Sequence, residues 1–151
     1  MIKISNNPKI VNKPWGKEFW IADGREMPFA FKKIQINAPY KSSIQFHEFK
    51  KEVVHIFSGK GFFHYSDDPI DIKRFKLNNY SQSELNEIVN NLNKIEISEG
   101  FSMSINPGFI HSVEAVEDIT IFESSTTELD DVFRINDEFK RDHGHIESEH
   151  N

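Results

Sequence analysis

No cysteine occurs anywhere in the 151 residues. That excludes a disulfide framework, a thiolate metal site and a cysteine nucleophile, and it fits a reducing compartment. Long apolar runs are also missing: none approaches the roughly 20 residues needed to span a bilayer. The first residues, Met1-Ile2-Lys3-Ile4-Ser5-Asn6-Asn7, lack the apolar core of a signal peptide, so a cytoplasmic location without membrane attachment is expected. Positive charge is scarce, with 18 Lys and Arg against 24 Asp and Glu and a net charge of −6. Phosphate backbones demand a concentrated basic surface, so nucleic acid is not expected as a partner. Internal repeats and low-complexity tracts are absent as well.

What is present suits one folded unit. The length is that of a single domain able to bury its own core. Only 37% of residues are hydrophobic, but 14 phenylalanines supply much of the buriable area. A single domain over residues 1–151 is expected, with its core at about 13–126 and a charged C-terminal arm at 127–151. Short runs with strand character, broken by turn signals, recur along the chain: Phe19–Ile21, Phe29–Ile36, Gly61–Tyr65, Lys94–Ile97, Phe101–Ile105, His111–Val116 and Ile119–Glu123. Ile70–Phe75 reads as a further short strand. One segment differs: Ser81-Gln82-Ser83-Glu84 has the form of a capping box, and Leu85, Ile88, Val89 and Leu92 follow at helical spacing. The expectation is an all-β sandwich or barrel with one or two short helices.

The chemistry concentrates in Ser42–Gly59. Gln45 and His47 are two apart and project to one face of a strand. Glu52 follows a short charged interruption and opens a second apolar run that stops at Ser58-Gly59-Lys60-Gly61. This reads as a hairpin aiming a nitrogen ligand and a carboxylate at one point. Downstream, Asn106-Pro107-Gly108 forms a turn leading to His111. Gln45, His47, Glu52 and His111 together make a set of nitrogen and oxygen donors suited to one divalent ion. On the strand opened by Glu52, His55 shares the opposite face with Val53 and Phe57 and is not expected to ligate. His64 is not assigned to the site either, and His143, His145 and His150 belong to the charged tail.

These motifs resemble those of the cupin superfamily: two ligands two apart, a Glu and a turn Gly (Gln45, His47, Glu52, Gly59), then Gly100, Gly108 and His111. The closer likeness is to the cupin of type II mannose-6-phosphate isomerases, the C-terminal part of the bifunctional isomerase/mannose-1-phosphate guanylyltransferase. It is carried by Lys13-Pro14-Trp15-Gly16, Ser43-Ile44-Gln45-Phe46-His47 and Asp130-Asp131-Val132-Phe133-Arg134-Ile135-Asn136-Asp137. The resemblance covers Lys13 to Arg141 and implies a jelly-roll barrel with the metal inside. The chain departs from the family at Val53-Val54, Asn106 and Ala115, and by the long stretch from Asp67 to Asn93, changes that bear on substrate more than on metal.

The resemblance implies a metal-dependent isomerase that interconverts aldose and ketose forms of a sugar or sugar phosphate. Gln is a neutral, hard ligand, which favours a Lewis acid, zinc first or manganese, over redox-active iron; cobalt and nickel are also compatible with such a set. Lys32 and Lys50 fall where the family carries basic residues near its site. Two readings are open for them, recognition of phosphate or hydroxyl groups and solvated surface lysines. Lys32 and Glu123 are the candidates for catalysis, and Lys50 and Arg134 for substrate binding. Arg134 has two open readings, phosphate binding or pairing with Asp131 or Asp137. Two alternatives stand beside the isomerase: a non-catalytic carbohydrate-binding or regulatory cupin, and a metal-dependent oxygenase or lyase. A homodimer is expected from the family.

Overall fold

The structure is a computed structural model that describes residues 1–136 and 144–145. In chain order the strands are β1 (Lys9–Lys13), β2 (Gly16–Asp23), β3 (Ala30–Ile36), β4 (Ile44–Phe46), β5 (Glu52–Ser58) and β6 (Lys60–Tyr65). Helices α1 (Ile72–Lys76) and α2 (Gln82–Asn90) follow. The chain then forms β7 (Asn93–Ser98), β8 (Ser102–Ile105), β9 (His111–Ala115), β10 (Ile119–Ser125), β11 (Phe133–Asn136) and β12 (Gly144–His145). Two antiparallel sheets result, ordered β1-β2-β3-β10-β5-β8 and β12-β11-β4-β9-β6-β7. The all-β jelly-roll expectation holds. Residues 137–143 and 146–151, which include Asp137, His143 and His150, lie outside the described residues.

Strand alternation decides what faces the interior. In β3, Ala30, Lys32, Ile34 and Ile36 are buried while the residues between them are half-exposed. In β5, Glu52, Val54 and Ile56 point inward and Val53, His55 and Phe57 outward, as the spacing predicts. Ile34, Ile36, Val54 and Ile56 of these faces join Trp15, Phe63, Val113 and Ile121 in a core between the sheets. The outer face of the first sheet carries an aromatic stripe in which Phe122 stacks on Phe31 and meets Phe57 edge-on.

The expected Gln45–Glu52 hairpin does not exist. β4 pairs with β9 and β11, whereas β5 pairs with β8 and β10, so the two strands belong to opposite sheets. Residues 47–51 cross from one layer to the other. The ligands therefore converge across the interior from two walls rather than along one ribbon. Gly59 makes the same kind of crossing from β5 to β6. Its φ of +93° lies in the left-handed region, and an added Cβ would come within 2.2 Å of the Asp118 carbonyl oxygen.

Ile70–Phe75, expected as a strand, is mostly helix α1. Asp71 explains the difference: as N-cap it accepts the Arg74 backbone N–H at 3.0 Å, and Lys73, Arg74 and Lys76 follow in the last turn. Helix α2 does begin on the Ser81–Glu84 capping box. An Arg74–Glu84 ion pair ties the two helices together. Their apolar residues, led by Leu85 with Ile88, Val89 and Leu92 beside it, cover the outer face of the second sheet, meeting Ile44, Phe46, Phe133 and Ile135. The residue between Ile44 and Phe46, Gln45, consequently faces the interior. Leu85→Asp is expected to destabilise the protein by about 1–3 kcal/mol through lost apolar burial. Denaturant unfolding measures this, and metal content per folded chain stays unchanged, because no residue of α2 lines the interior cavity.

Among the described residues, no helix is long and apolar enough to cross a membrane. The first described part of the charged tail docks as a strand, with Phe133 opposite Phe46 and Arg134 opposite Gln45.

Candidate metal centre

A cavity of about 80 Å³ opens between the sheets, lined among others by Gln45, His47, Glu52 and His111 and by Glu18, Lys32, Lys50 and Glu123. At about 10–15 Å³ per enclosed water, this is room for roughly half a dozen water-sized groups.

The second sheet supplies Gln45 and His111, which are direct partners in the β4–β9 register. His47 follows the end of β4, and Glu52 opens β5 on the opposite wall. Each histidine has its Nδ1 tied to a backbone carbonyl: His47 to Asp131 O at 2.6 Å and His111 to Phe109 O at 2.9 Å. A carbonyl only accepts, so Nδ1 carries a proton in each ring and Nε2 is the nitrogen turned towards the cavity. Both Nε2 atoms are buried without a hydrogen-bond partner, 3.4 Å (His47) and 3.1 Å (His111) from Glu52 Oε1. Burial, the largest influence on His47, pushes its pKa down and keeps the ring neutral.

Two imidazole Nε2 atoms and a carboxylate oxygen thus converge on one point, an arrangement suited to a cation at its centre. Tetrahedral zinc with bonds of about 2.0–2.1 Å would hold its ligands roughly 3.3 Å apart. The observed separations bracket that value, so this buried group could hold a metal ion. Gln45 lines the same cavity, and its Oε1 accepts from Ser43 Oγ at 2.7 Å. An amide oxygen has a second lone pair to offer.

Lys50 lies behind the carboxylate, its Nζ 3.0 Å from Glu52 Oε2 and 3.5 Å from Glu123 Oε2. Burial works against its charge, but Glu123 and Glu52 outweigh burial and hold the ammonium above its ordinary pKa. Burial likewise opposes the Glu52 charge, and the Lys50 ammonium foremost outweighs it, holding the carboxyl well below its usual range. Glu123 goes the other way. Burial and the neighbouring Glu52 push it up to about 8 against the pull of Lys50 and Lys32. Lys32, only 2% exposed, faces Glu123 across the β3–β10 register and donates to Glu18 Oε1 at 3.3 Å.

Of the residues singled out from sequence, Gln45, His47, Glu52, His111, Lys32, Lys50 and Glu123 all line this one cavity. Arg134 does not line it, although it is buried and sits opposite Gln45 in the register. His55 is exposed and bonded to Ser102, and His64 pairs with Glu114 away from the cavity.

Two participants were not foreseen. Glu18 is buried on the cavity wall, where the apolar character of Phe19 and Ile21 would suggest the opposite face inward; its signal was an acid in strict alternation with Trp20. Asp131 is the second. Its carboxylate accepts the backbone N–H groups of Glu48, Phe49 and Lys50 at 2.9, 2.6 and 2.9 Å, and its carbonyl holds His47. The crossing loop is therefore clamped from the late Asp-Asp segment. Asp131→Asn keeps the shape but cannot accept at its amide nitrogen, so it is expected to weaken metal binding about 10–100-fold, the range for outer-shell partners of ligands. Chelator competition reads this as a shift in metal Kd.

No family model matches the chain, and no curated protein matches it in sequence. Solved structures do. The capsular polysaccharide assembling protein CapF from Staphylococcus aureus aligns with a TM-score of 0.65 at 13% identity, over 87% of this chain and 33% of CapF. A sugar phosphate isomerase of the cupin superfamily from Silicibacter pomeroyi aligns with a TM-score of 0.53 at 12% identity, over 74% of this chain and 59% of that one. The fold is a cupin fold. Ectoine synthase from P. lautus shares it, with a TM-score of 0.57 at 11% identity over 78% of this chain and 68% of that one. This chain spans only 33% of the length of CapF. In the cupin frame the cavity is the barrel interior, and the His47, Glu52 and His111 side chains project into it from both sheets.

Proposed function

We propose that this cupin is a metal-dependent isomerase that shifts a carbonyl between adjacent carbons of a sugar or sugar phosphate. The observation that carries the reading is the convergence of His47 Nε2, His111 Nε2 and Glu52 Oε1 beside an independent buried carboxylate, Glu123. The Lys13-Pro14-Trp15-Gly16 and Asp130-Asp131 motifs, shared with mannose-6-phosphate isomerase cupins, support the sugar-phosphate form. The sugar phosphate isomerase among the structural neighbours is consistent with it.

His47, Glu52, His111 and Gln45 would hold the ion, zinc first given their nitrogen and oxygen donors. When bound, such an ion supplies Lewis-acid polarisation of a carbonyl or hydroxyl oxygen. The chain's own residues supply the rest. In its ionised form, more abundant as pH rises towards its pKa of about 8, Glu123 takes the proton from the carbon beside the carbonyl and returns it to the former carbonyl carbon. The hydroxyl proton passes to the former carbonyl oxygen, so that neither acid nor base is consumed. Lys50, held between Glu52 and Glu123, orients the base and places positive charge next to the oxyanion formed on the way.

The test is solvent-deuterium exchange at the carbon beside the carbonyl, followed by NMR over a panel of aldoses and aldose phosphates, with zinc- or manganese-loaded protein under anaerobic conditions. Exchange is expected in the wild type and is lost in Glu123→Gln with metal retained. Sugar binding without exchange would establish a binding cupin instead, and turnover requiring dioxygen and ferrous iron would establish an oxygenase.

A further inference from the structure

Charge alternates along the interior wall. Glu18 pairs with Lys32 at 3.3 Å, Lys32 lies across from Glu123, and Lys50 bridges Glu123 at 3.5 Å and Glu52 at 3.0 Å. All five side chains belong to residues no more than 8% exposed and line the same cavity. Trp20 fixes the far end: its indole Nε1–H donates to Glu18 Oε1 at 3.0 Å, and the Lys32 ammonium lies 4.4 Å from its ring centroid. We propose that this far end, Glu18 with Lys32, is a recognition subsite for uncharged hydroxyl groups of a polyol and not a phosphate site. The proposal rests on the sugar reading above and narrows it.

A carboxylate beside an ammonium offers an acceptor and donors side by side. A hydroxyl group, which both donates and accepts, satisfies both members of the pair. A phosphate dianion satisfies only the ammonium, and its remaining oxygens would face carboxylates. The local charge points the same way, since the ammonium of Lys32 is already paired with the carboxylate of Glu18 at the far end. Each ammonium already has a carboxylate within 3.5 Å, unlike the unneutralised lysines a phosphate site needs.

The chain has 2 tryptophans, and both are placed to report: Trp15 lines the cavity and Trp20 is bonded to Glu18. The experiment is a titration of the zinc-loaded full chain with erythritol and, separately, with inorganic phosphate, followed by the two indole N–H resonances in proton–nitrogen NMR. Erythritol is expected to shift the Trp20 indole saturably, and phosphate to leave it unmoved. Lys32→Met and Glu18→Gln should each weaken erythritol binding tenfold or more with zinc stoichiometry unchanged. Phosphate moving the Trp20 indole as far as erythritol does, or erythritol failing to move it, overturns the proposal, and both are read on the wild type whether or not the variants fold. Both variants binding erythritol with wild-type affinity overturns it too. If the proposed isomerisation alone is wrong, the Trp20 response persists while solvent-deuterium exchange is absent.

Discussion

The double variant His47→Ala, His111→Ala is expected to lose its metal: stoichiometry falls from about one ion per chain to near zero, and any residual Kd rises by more than 100-fold. Two of three converging donors are removed, and loss of an outer-shell partner alone costs 10–100-fold. The folded state should survive, and in metal-free protein it should gain. The wild type buries two imidazole nitrogens against a carboxylate without a partner, a cost of about 1–3 kcal/mol per group that alanine removes. The variant therefore separates the two roles of these histidines. With chelator present its melting temperature should match or exceed that of the wild type; with zinc added, only the wild type should rise, by the linkage between ligand binding and stability. Unchanged stoichiometry in the double variant, measured by elemental analysis after gel filtration, would refute the assignment of the centre.

How much of this centre was legible in the sequence depends on the range of each interaction. The i, i+2 spacing of Gln45 and His47 and the inward face of Glu52, Val54 and Ile56 follow from strand geometry alone, and both stand in the structure. The capping box at Ser81–Glu84 is equally local and was readable to the residue. What was not legible is pairing. Nothing in residues 42–59 says that β4 and β5 join different sheets, because that choice is made by partners far along the chain, β9 and β11 for one and β8 and β10 for the other. The Asp131 clamp reaches across more than 80 positions to Glu48, Phe49 and Lys50 and leaves no local trace. Glu18 was hidden for a different reason. Hydrophobic alternation normally marks the buried face, and here the strand turns a charged residue inward because Lys32 and Trp20 wait there to satisfy it. At Ile70–Phe75 a period-2 reading of isoleucines lost to one side-chain cap, Asp71.

The removal of Lys50 should have the largest effect on stability. In Lys50→Met the apolar stem is retained and the ammonium is lost, leaving Glu52 and Glu123 buried beside one another without the charge that lay 3.0 and 3.5 Å away. Breaking a buried ion pair from one side costs about 3–5 kcal/mol, so metal-free Lys50→Met should melt far below the wild type at neutral pH. The sign of its pH dependence follows from the carboxylates. In the wild type the folded pKa of Glu52 is depressed, so its contribution is present above the ordinary carboxylate value and is lost as pH falls. That of Glu123 is raised to about 8, so its smaller opposing contribution is present at low pH and is lost as pH rises towards 8. In the variant burial and mutual repulsion push both carboxyl groups upward, and a group with a raised folded pKa stabilises at low pH and loses that contribution as pH rises. The gap between the two proteins should therefore be widest at and above neutrality and should narrow as pH falls towards about 4–5, near the unfolded carboxylate value. A divalent ion replaces part of the missing positive charge beside Glu52, so zinc should raise the melting temperature of the variant by more than that of the wild type. Thermal unfolding from pH 5 to 8, with chelator and then with zinc, measures all three. Equal stability of variant and wild type at pH 8 in chelator would show that the Lys50 ammonium does not hold these carboxylates together.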